Sequence, residues 1–255
     1  MSRLKGRTAL LVGEDPITIG IATRYVAEGA VVTIAGNGLP PEAAAIGAAR
    51  LVEIGAAGDA ADRAALREAA GASLDILVLG GADIPAEQDW VRVSQLTVEQ
   101  LREVGGRLVV RALAALQASE DALRVAGNSS VIFLYSPAGM FSEGGWAAHT
   151  MSYHARIGLM RAVAAEWGPV RANMLVPYAD TPGFRAFRAR NPAEVDHRVS
   201  VTGMKRVGDL VKDIGGAAVF LGSPDSQYVT GMMVPADGGA GATIPTVETQ
   251  MERAP

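Results

Sequence analysis

Short apolar runs alternate with longer amphipathic stretches along this chain, and that alternation carries most of what the sequence says about architecture. Residues 8–12 (TALLV), 30–34 (AVVTI), 74–79 (LDILVL), 130–134 (SVIFL), 172–176 (ANMLV) and 232–234 (MMV) each read as a strand. Their nearly continuous apolar character marks strands buried on both faces. Helical stretches lie between them at 19–27, closed by Gly29, and at 98–123, 152–167 and 209–221. Such alternation predicts βαβ units with right-handed crossovers, hence an α/β fold: a doubly wound parallel sheet of about seven strands with helices on both faces. No repeat or low-complexity linker divides the chain, so residues 1–255 are expected to form a single domain. The tail from Ala242 onward is expected to be loosely held or packed on a partner.

Composition narrows the chemistry. The 255 residues are 49% hydrophobic and 20% charged, which suits one large globular domain and argues against disorder. Aromatic residues make up only 5%, so the core must be aliphatic. Cysteine is absent, which excludes disulfides, thiol catalysis and zinc–thiolate sites, and no metal site is predicted. A formal charge of -4 gives no overall pull toward nucleic acid or anionic lipid. The first apolar run, 9–12, stops at Gly13, too short for a signal-peptide core, and no stretch approaches the roughly 18–20 apolar residues of a membrane span. A cytoplasmic protein is expected.

Several motifs resemble those of the short-chain dehydrogenase/reductase superfamily, whose fold is Rossmann-like. Val219-Phe-Leu-Gly-Ser223, Tyr228-Val-Thr-Gly231 and Pro235-Ala-Asp-Gly-Gly239 look like that family's C-terminal signature. Arg206-Val-Gly-Asp209, Arg171-Ala-Asn173 through Pro177, Thr181-Pro182, and Leu74-Asp-Ile-Leu-Val78 add to it. The resemblance covers nearly the whole chain and implies an NAD(P) site at the first strand–helix turn, a Ser–Tyr–Lys set, and a substrate flap at about 178–208.

The nucleotide motif departs from the family pattern. A Gly-rich turn lets phosphates approach the backbone and sit at a helix N-terminus. Here the turn is Val12-Gly-Glu-Asp-Pro-Ile-Thr-Ile-Gly20; Gly13 and Gly20 remain, but the middle glycine is missing. Glu14 and Asp15 would set negative charge beside a pyrophosphate. After the second strand, Ile34-Ala-Gly-Asn-Gly38 offers no charged ribose or phosphate selector, only Asn37. Asp59 stands where the family places an aspartate beside the adenine. Leu79-Gly-Gly-Ala82 replaces the family's NNAG, and an aliphatic residue near Val109 replaces its helix asparagine. Gly13, Gly20, Asn37 and Asp59 are therefore the candidate cofactor residues, but the reading favours no cofactor, with NAD(P) binding only if this site works.

The catalytic pattern is altered too. Ser136, in Ser136-Pro-Ala-Gly139, holds the place of the catalytic serine. The family lysine is absent, since the only lysines are Lys5, Lys205 and Lys212. Thirteen residues after Ser136, at the usual tyrosine spacing, stands His149; Tyr153 comes at seventeen, and Arg156 follows. In one reading a loop insertion around 142–146 shifts the helix so that Tyr153 and Arg156 share a face. Ser136, Tyr153 and Arg156 then resemble the set of halohydrin dehalogenases, which work without nicotinamide. In another, the site has decayed: Ser136 is a strand-end hydroxyl, Tyr153 packs, and Arg156 is solvated or bridges a subunit. His149 as an unusual base is a third option, and a divergent NAD(P)-dependent oxidoreductase a fourth.

The flap carries Arg185, Arg188, Arg190, His197, Arg198, Lys205 and Arg206, a charge set that would steer an anionic or acyl-CoA substrate, or simply form a solvated helix face. Tyr178 follows Pro177 where the family has glycine. The leading expectation is a catalytically impaired or structural subunit, assembled as a dimer or tetramer with itself or with an intact hydroxyacyl-CoA or alcohol dehydrogenase of the same superfamily. Leu108, Ala112, Ala115 and Leu116 on one long helix, and Ile157, Met160, Ala164 and Trp167 on the other, are expected to form the interface.

Overall fold

The computed structural model describes residues 2–47, 49–55, 58–81, 91–136, 139 and 145–241. The tail from Ala242 lies outside them. Seven strands form one parallel sheet: β1 Thr8–Val12, β2 Val31–Gly36, β3 Ala49–Glu53, β4 Ile76–Leu79, β5 Ser130–Leu134, β6 Arg171–Pro177 and β7 Met233–Ala236, in the order β3-β2-β1-β4-β5-β6-β7. The chain turns back on itself between β1 and β4, so the crevice at their C-terminal ends is where a ligand of this architecture would sit. β3 is absent from the predicted strands because ARLVE is a half-exposed edge strand with charges at both ends of its run.

Helices cover both faces. On one lie α1 Pro16–Ala27, α2 Pro41–Ala45 and α9 Gly215–Gly222, packed on an aliphatic core with Leu11, Ile34, Ile76 and Leu175. On the other lie α3 Ala60–Ala70, α4 Val98–Gly105, α5 Arg111–Ala126 and α6 Ala147–Glu166, around Leu10, Leu77, Phe133 and Met174. α7 Pro182–Arg190 and α8 Pro192–Val201 form the flap. The predicted long helix at 98–123 is α4 and α5 joined by one π-helical turn, Gly106–Val110. α6 starts at Ala147, earlier than the 152 expected, because 147–151 has no apolar stripe to announce it.

The C-terminal motifs are structural clamps. Arg171 is buried and donates to the Leu221 carbonyl at 3.0 Å and to Ser226 Oγ at 2.7 Å. Asn173 donates through Nδ2 to the Val229 carbonyl (2.7 Å) and accepts from the Met232 N–H (3.1 Å), holding the turn before β7. Tyr25 reaches from α1 to the Ala218 carbonyl at 2.8 Å. At Gly20 a Cβ would stand 2.7 Å from Leu210 Cβ, so this glycine lets α1 approach the segment leading into α9.

The faces expected to form an interface belong to the subunit's own interior. Leu108, Ala112, Ala115, Leu116 and Met160 are buried in the core, and Ile157 and Ala164 pack against it. Small residues there let the helices lie close to the sheet. Large apolar side chains that do point outward on these helices include Val98, Val110, Leu113, Val125 and Met151.

Candidate functional site

The turn from β1 to α1 comes first. Asp15 caps α1: one carboxylate oxygen accepts from the N–H groups of Ile17 (3.2 Å) and Thr18 (3.1 Å). Pro16 has no N–H, and the Ile19 N–H donates to the Asp15 carbonyl at 3.1 Å. The leading donors of α1 are thus all engaged by the chain itself. The second Asp15 oxygen accepts from the Thr18 hydroxyl (2.6 Å) and from the Gly81 N–H beyond β4 (2.8 Å). Glu14 next door makes a bidentate ion pair with Arg111 of α5, at 2.9–3.1 Å. Its carboxylate also meets the Asn37 N–H at 3.4 Å, while Glu53 accepts from the N–H groups of Gly38 (3.0 Å) and Leu39 (3.3 Å). The amides at the start of α1 and after β2 are held by the chain's own carboxylates.

The four candidate cofactor residues do not converge. Just past β1, a Cβ on Gly13 would stand 2.9 Å from the Thr18 hydroxyl and 3.0 Å from Gly80, whereas one on Gly20 would meet Leu210. Asn37 is exposed. Asp59 caps α3, accepting from the Asp62 N–H at 2.9 Å, in a reciprocal capping box that also ties down Gly55 and Gly58.

Ser136, Tyr153 and Arg156 do come together, at the end of β5 and on α6, and all three are buried. Tyr153 and Arg156 reach across to the end of β4. The phenol donates to the Gly81 carbonyl at 2.7 Å, and the guanidinium donates to the carbonyls of Gly80 (2.7 Å) and Leu79 (2.6 Å). Arg156 also lies 5.7 Å from the Phe133 ring centroid. It is neither solvated nor free to bridge a subunit, because its charged head braces unpaired strand-end carbonyls in the core. Side chains at Gly80 or Gly81 would close this node: a Cβ on Gly80 would strike the Thr18 hydroxyl, and one on Gly81 would stand 2.6 Å from Leu108. Of the stretch 142–146 where a loop insertion was expected, residues 142–144 lie outside the described residues.

Burial decides the ionisation of this set. Desolvation pushes the Tyr153 phenol well above its ordinary range; the Arg156 charge and a hydrogen bond with Ser136 oppose it without overcoming it. Desolvation also lowers Arg156 to about 10, which leaves it protonated at neutral pH. His149 is 3% exposed, and burial together with the Arg107 charge lowers it to about 4. Its ring lies 5.5 Å from Trp146 and 6.4 Å from Tyr153, one helical turn along α6. At neutral pH the site holds a phenol, a guanidinium and a neutral imidazole.

Elsewhere, Tyr178 packs edge-on against Phe184 of the flap at 5.4 Å. The flap cations are largely matched: Arg185 with Asp180 (3.1 Å), Arg188 with Asp196 (2.6 Å) and Arg198 with Glu194 (2.5 Å). Sequence reasoning missed Arg107 and Arg111. Their four-residue spacing on a helix leading to the site was one signal. The two adjacent acids Glu14 and Asp15, which need a counter-charge when half-buried, were another.

A protein-family model described as enoyl-(acyl carrier protein) reductase matches residues 13–241. The chain belongs to the short-chain dehydrogenase/reductase superfamily. A cis-1,2-dihydrobenzene-1,2-diol dehydrogenase of Pseudomonas putida is 30% identical, over 94% of this chain and 93% of that one. A short-chain dehydrogenase/reductase of Arabidopsis thaliana is 28% identical over 93% of this chain and 95% of its own length. Among solved structures, a candidate NAD(P)-dependent gluconate 5-dehydrogenase from Beutenbergia cavernae, with NADP bound at low occupancy, superposes with a TM-score of 0.83 at 28% identity, covering 95% of this chain and 99% of the other. This short-chain dehydrogenase/reductase therefore shares its fold with solved relatives over nearly its whole length. No helix among the described residues is long and apolar enough to cross a membrane.

Proposed function

We propose that this short-chain dehydrogenase/reductase binds no nicotinamide dinucleotide and serves as a non-catalytic subunit of an oligomer, beside an intact member of the superfamily. One observation carries the reading: the Asp15 carboxylate occupies the donors at the start of α1 and the Gly81 N–H together. A pyrophosphate brought to that turn would have to displace a carboxylate from its cap and then face the charge of Asp15 and of Glu14. The un-ionised Tyr153 phenol supports the same reading, because proton transfer from an alcohol needs a base at that place. The partner would be an alcohol or hydroxyacyl-CoA dehydrogenase, and the paired flap cations give this chain little charge of its own with which to hold an acyl-CoA.

Calorimetry tests the cofactor half. Affinity for NAD(H) and NADP(H) should be weaker than about 1 mM; a low-micromolar constant would overturn the reading. Co-expression with a neighbouring intact short-chain dehydrogenase, followed by mass measurement of the purified complex, tests the subunit half. Within such a complex, Tyr153→Phe should leave turnover within about threefold, and a hundredfold loss with assembly intact would instead assign chemistry to this chain.

A further inference from the structure

We propose that the cleft between the end of β7 and the segment leaving the flap binds a small organic cation, an amine whose ammonium meets the Asp237 carboxylate and whose apolar body lies against Met204 and Pro235. The cleft stands apart from the crevice between β1 and β4, with β5 and β6 between them, so the proposal does not depend on whether a dinucleotide binds.

The cleft has a volume of about 620 Å³, within the range of small-ligand sites. Two backbone turns make its walls. One is the turn after β7, where Gly238 and Gly239 both adopt positive φ. The other is the stretch from Gly203 to Gly208. They are stitched together where the Met204 N–H donates to the Gly238 carbonyl at 2.9 Å. A Cβ on Gly238 would stand 3.2 Å from Met204 Cβ, so bare backbone is what lets the turns approach. The Gly208 N–H donates to the Tyr178 carbonyl at 3.0 Å, which fixes the second wall to the strand end at β6.

Three charged side chains line the cleft: Arg206, Asp213 and Asp237. Both terminal nitrogens of Arg206 are held by Asp213, at 2.5 and 2.9 Å, so these two cancel and the guanidinium has no free fork for an anion. Asp237 accepts from the Gly239 N–H at 2.9 Å and the Gly241 N–H at 2.8 Å, and pairs with no cation among the described residues. A carboxylate has about four acceptor sites, so two amides leave room for an ammonium. The lining therefore carries one uncompensated negative charge. Beside it stand Pro235, Ala236 and Met204, the last 61% exposed and adaptable in shape. A carboxylate next to an open apolar wall fits a ligand with a positive head and an apolar body.

The test uses the whole protein with carbon-labelled methionine methyl groups, the Met204 signal being assigned by its loss in Met204→Leu. Benzylamine, protonated at pH 7, is titrated at constant ionic strength beside benzyl alcohol and sodium benzoate. A saturable shift of the Met204 methyl is expected with benzylamine, with affinity about tenfold or more above that of the alcohol and no saturation with benzoate. Asp237→Asn should weaken benzylamine binding about threefold or more. Arg206→Gln should tighten it about threefold, because it removes a like charge and frees the Asp213 carboxylate. Arg206 belongs to an exposed pair, so that variant should fold even if Asp237→Asn loosens its turn, and damage to the cleft would not raise affinity. No saturable shift, equal affinity for benzyl alcohol, saturation with benzoate, unchanged affinity in a folded Asp237→Asn, or unchanged or weaker affinity in Arg206→Gln would each overturn the proposal.

Discussion

Burial sets the behaviour of individual residues at this site. Since His149 titrates at about 4 in the folded chain and near 6.5 when unfolded, the unfolded state takes up a proton that the folded state refuses between those values. Stability should therefore fall as pH drops from 6.5 to 4, by about 3 kcal/mol at most, and level off below. Urea midpoints measured at pH 7 and 4.5 should differ in the wild type and converge in His149→Gln. Tyr153 should remain a phenol well above the ordinary value of about 10. Ultraviolet titration of the wild type and Tyr153→Phe should then coincide through that range. The same variant loses one buried hydrogen bond to Gly81 and should cost about 1–2 kcal/mol. Arg156→Ala, which strips two buried carbonyls and leaves a cavity, should cost about 3 kcal/mol or more, and Arg156→Lys should restore only part, because an ammonium cannot fork across both carbonyls.

At the scale of elements, strands and turns differed in how much the sequence revealed. Buried parallel strands such as β1 and β5 announce themselves by apolar runs, and their predicted bounds coincide with the observed ones. The half-exposed β3 and the first turn of α6 carry no such pattern. Ser136, Tyr153 and Arg156 could be picked out by resemblance, but not their use: whether an arginine braces a strand end or faces solvent depends on contacts seventy-odd residues away, at Leu79 and Gly80. Glu14 and Asp15 were legible as charges but not as caps and ion-pair partners. The turn lends itself to reversal. In Glu14→Ala/Asp15→Ser the amides of α1 keep a compact cap, and Arg111 loses its partner. Dinucleotide affinity should rise by about tenfold or more, measured by calorimetry.

For the whole molecule, the unexplained surface lies along α5 and α6. Members of this superfamily are usually oligomers, and Val110, Leu113 and Met151 are apolar, outward-facing and close to the helices expected to pair. Leu113→Glu with Met151→Glu should lower the mass seen by light scattering without changing the circular dichroism of the subunit. The contact between Asp15 and Gly81 has a further consequence. It joins the first strand–helix unit to the end of β4, a tie that a ligand bridging the crevice would otherwise supply. A protein completed by its ligand melts at a temperature that climbs with ligand concentration, because only the folded form binds. Here the bridging group is covalently part of the chain, present at a fixed effective concentration that no cellular pool can dilute. Its melting curve should not move as nucleotide is added, so the subunit would hold its shape in starved and well-fed cells alike.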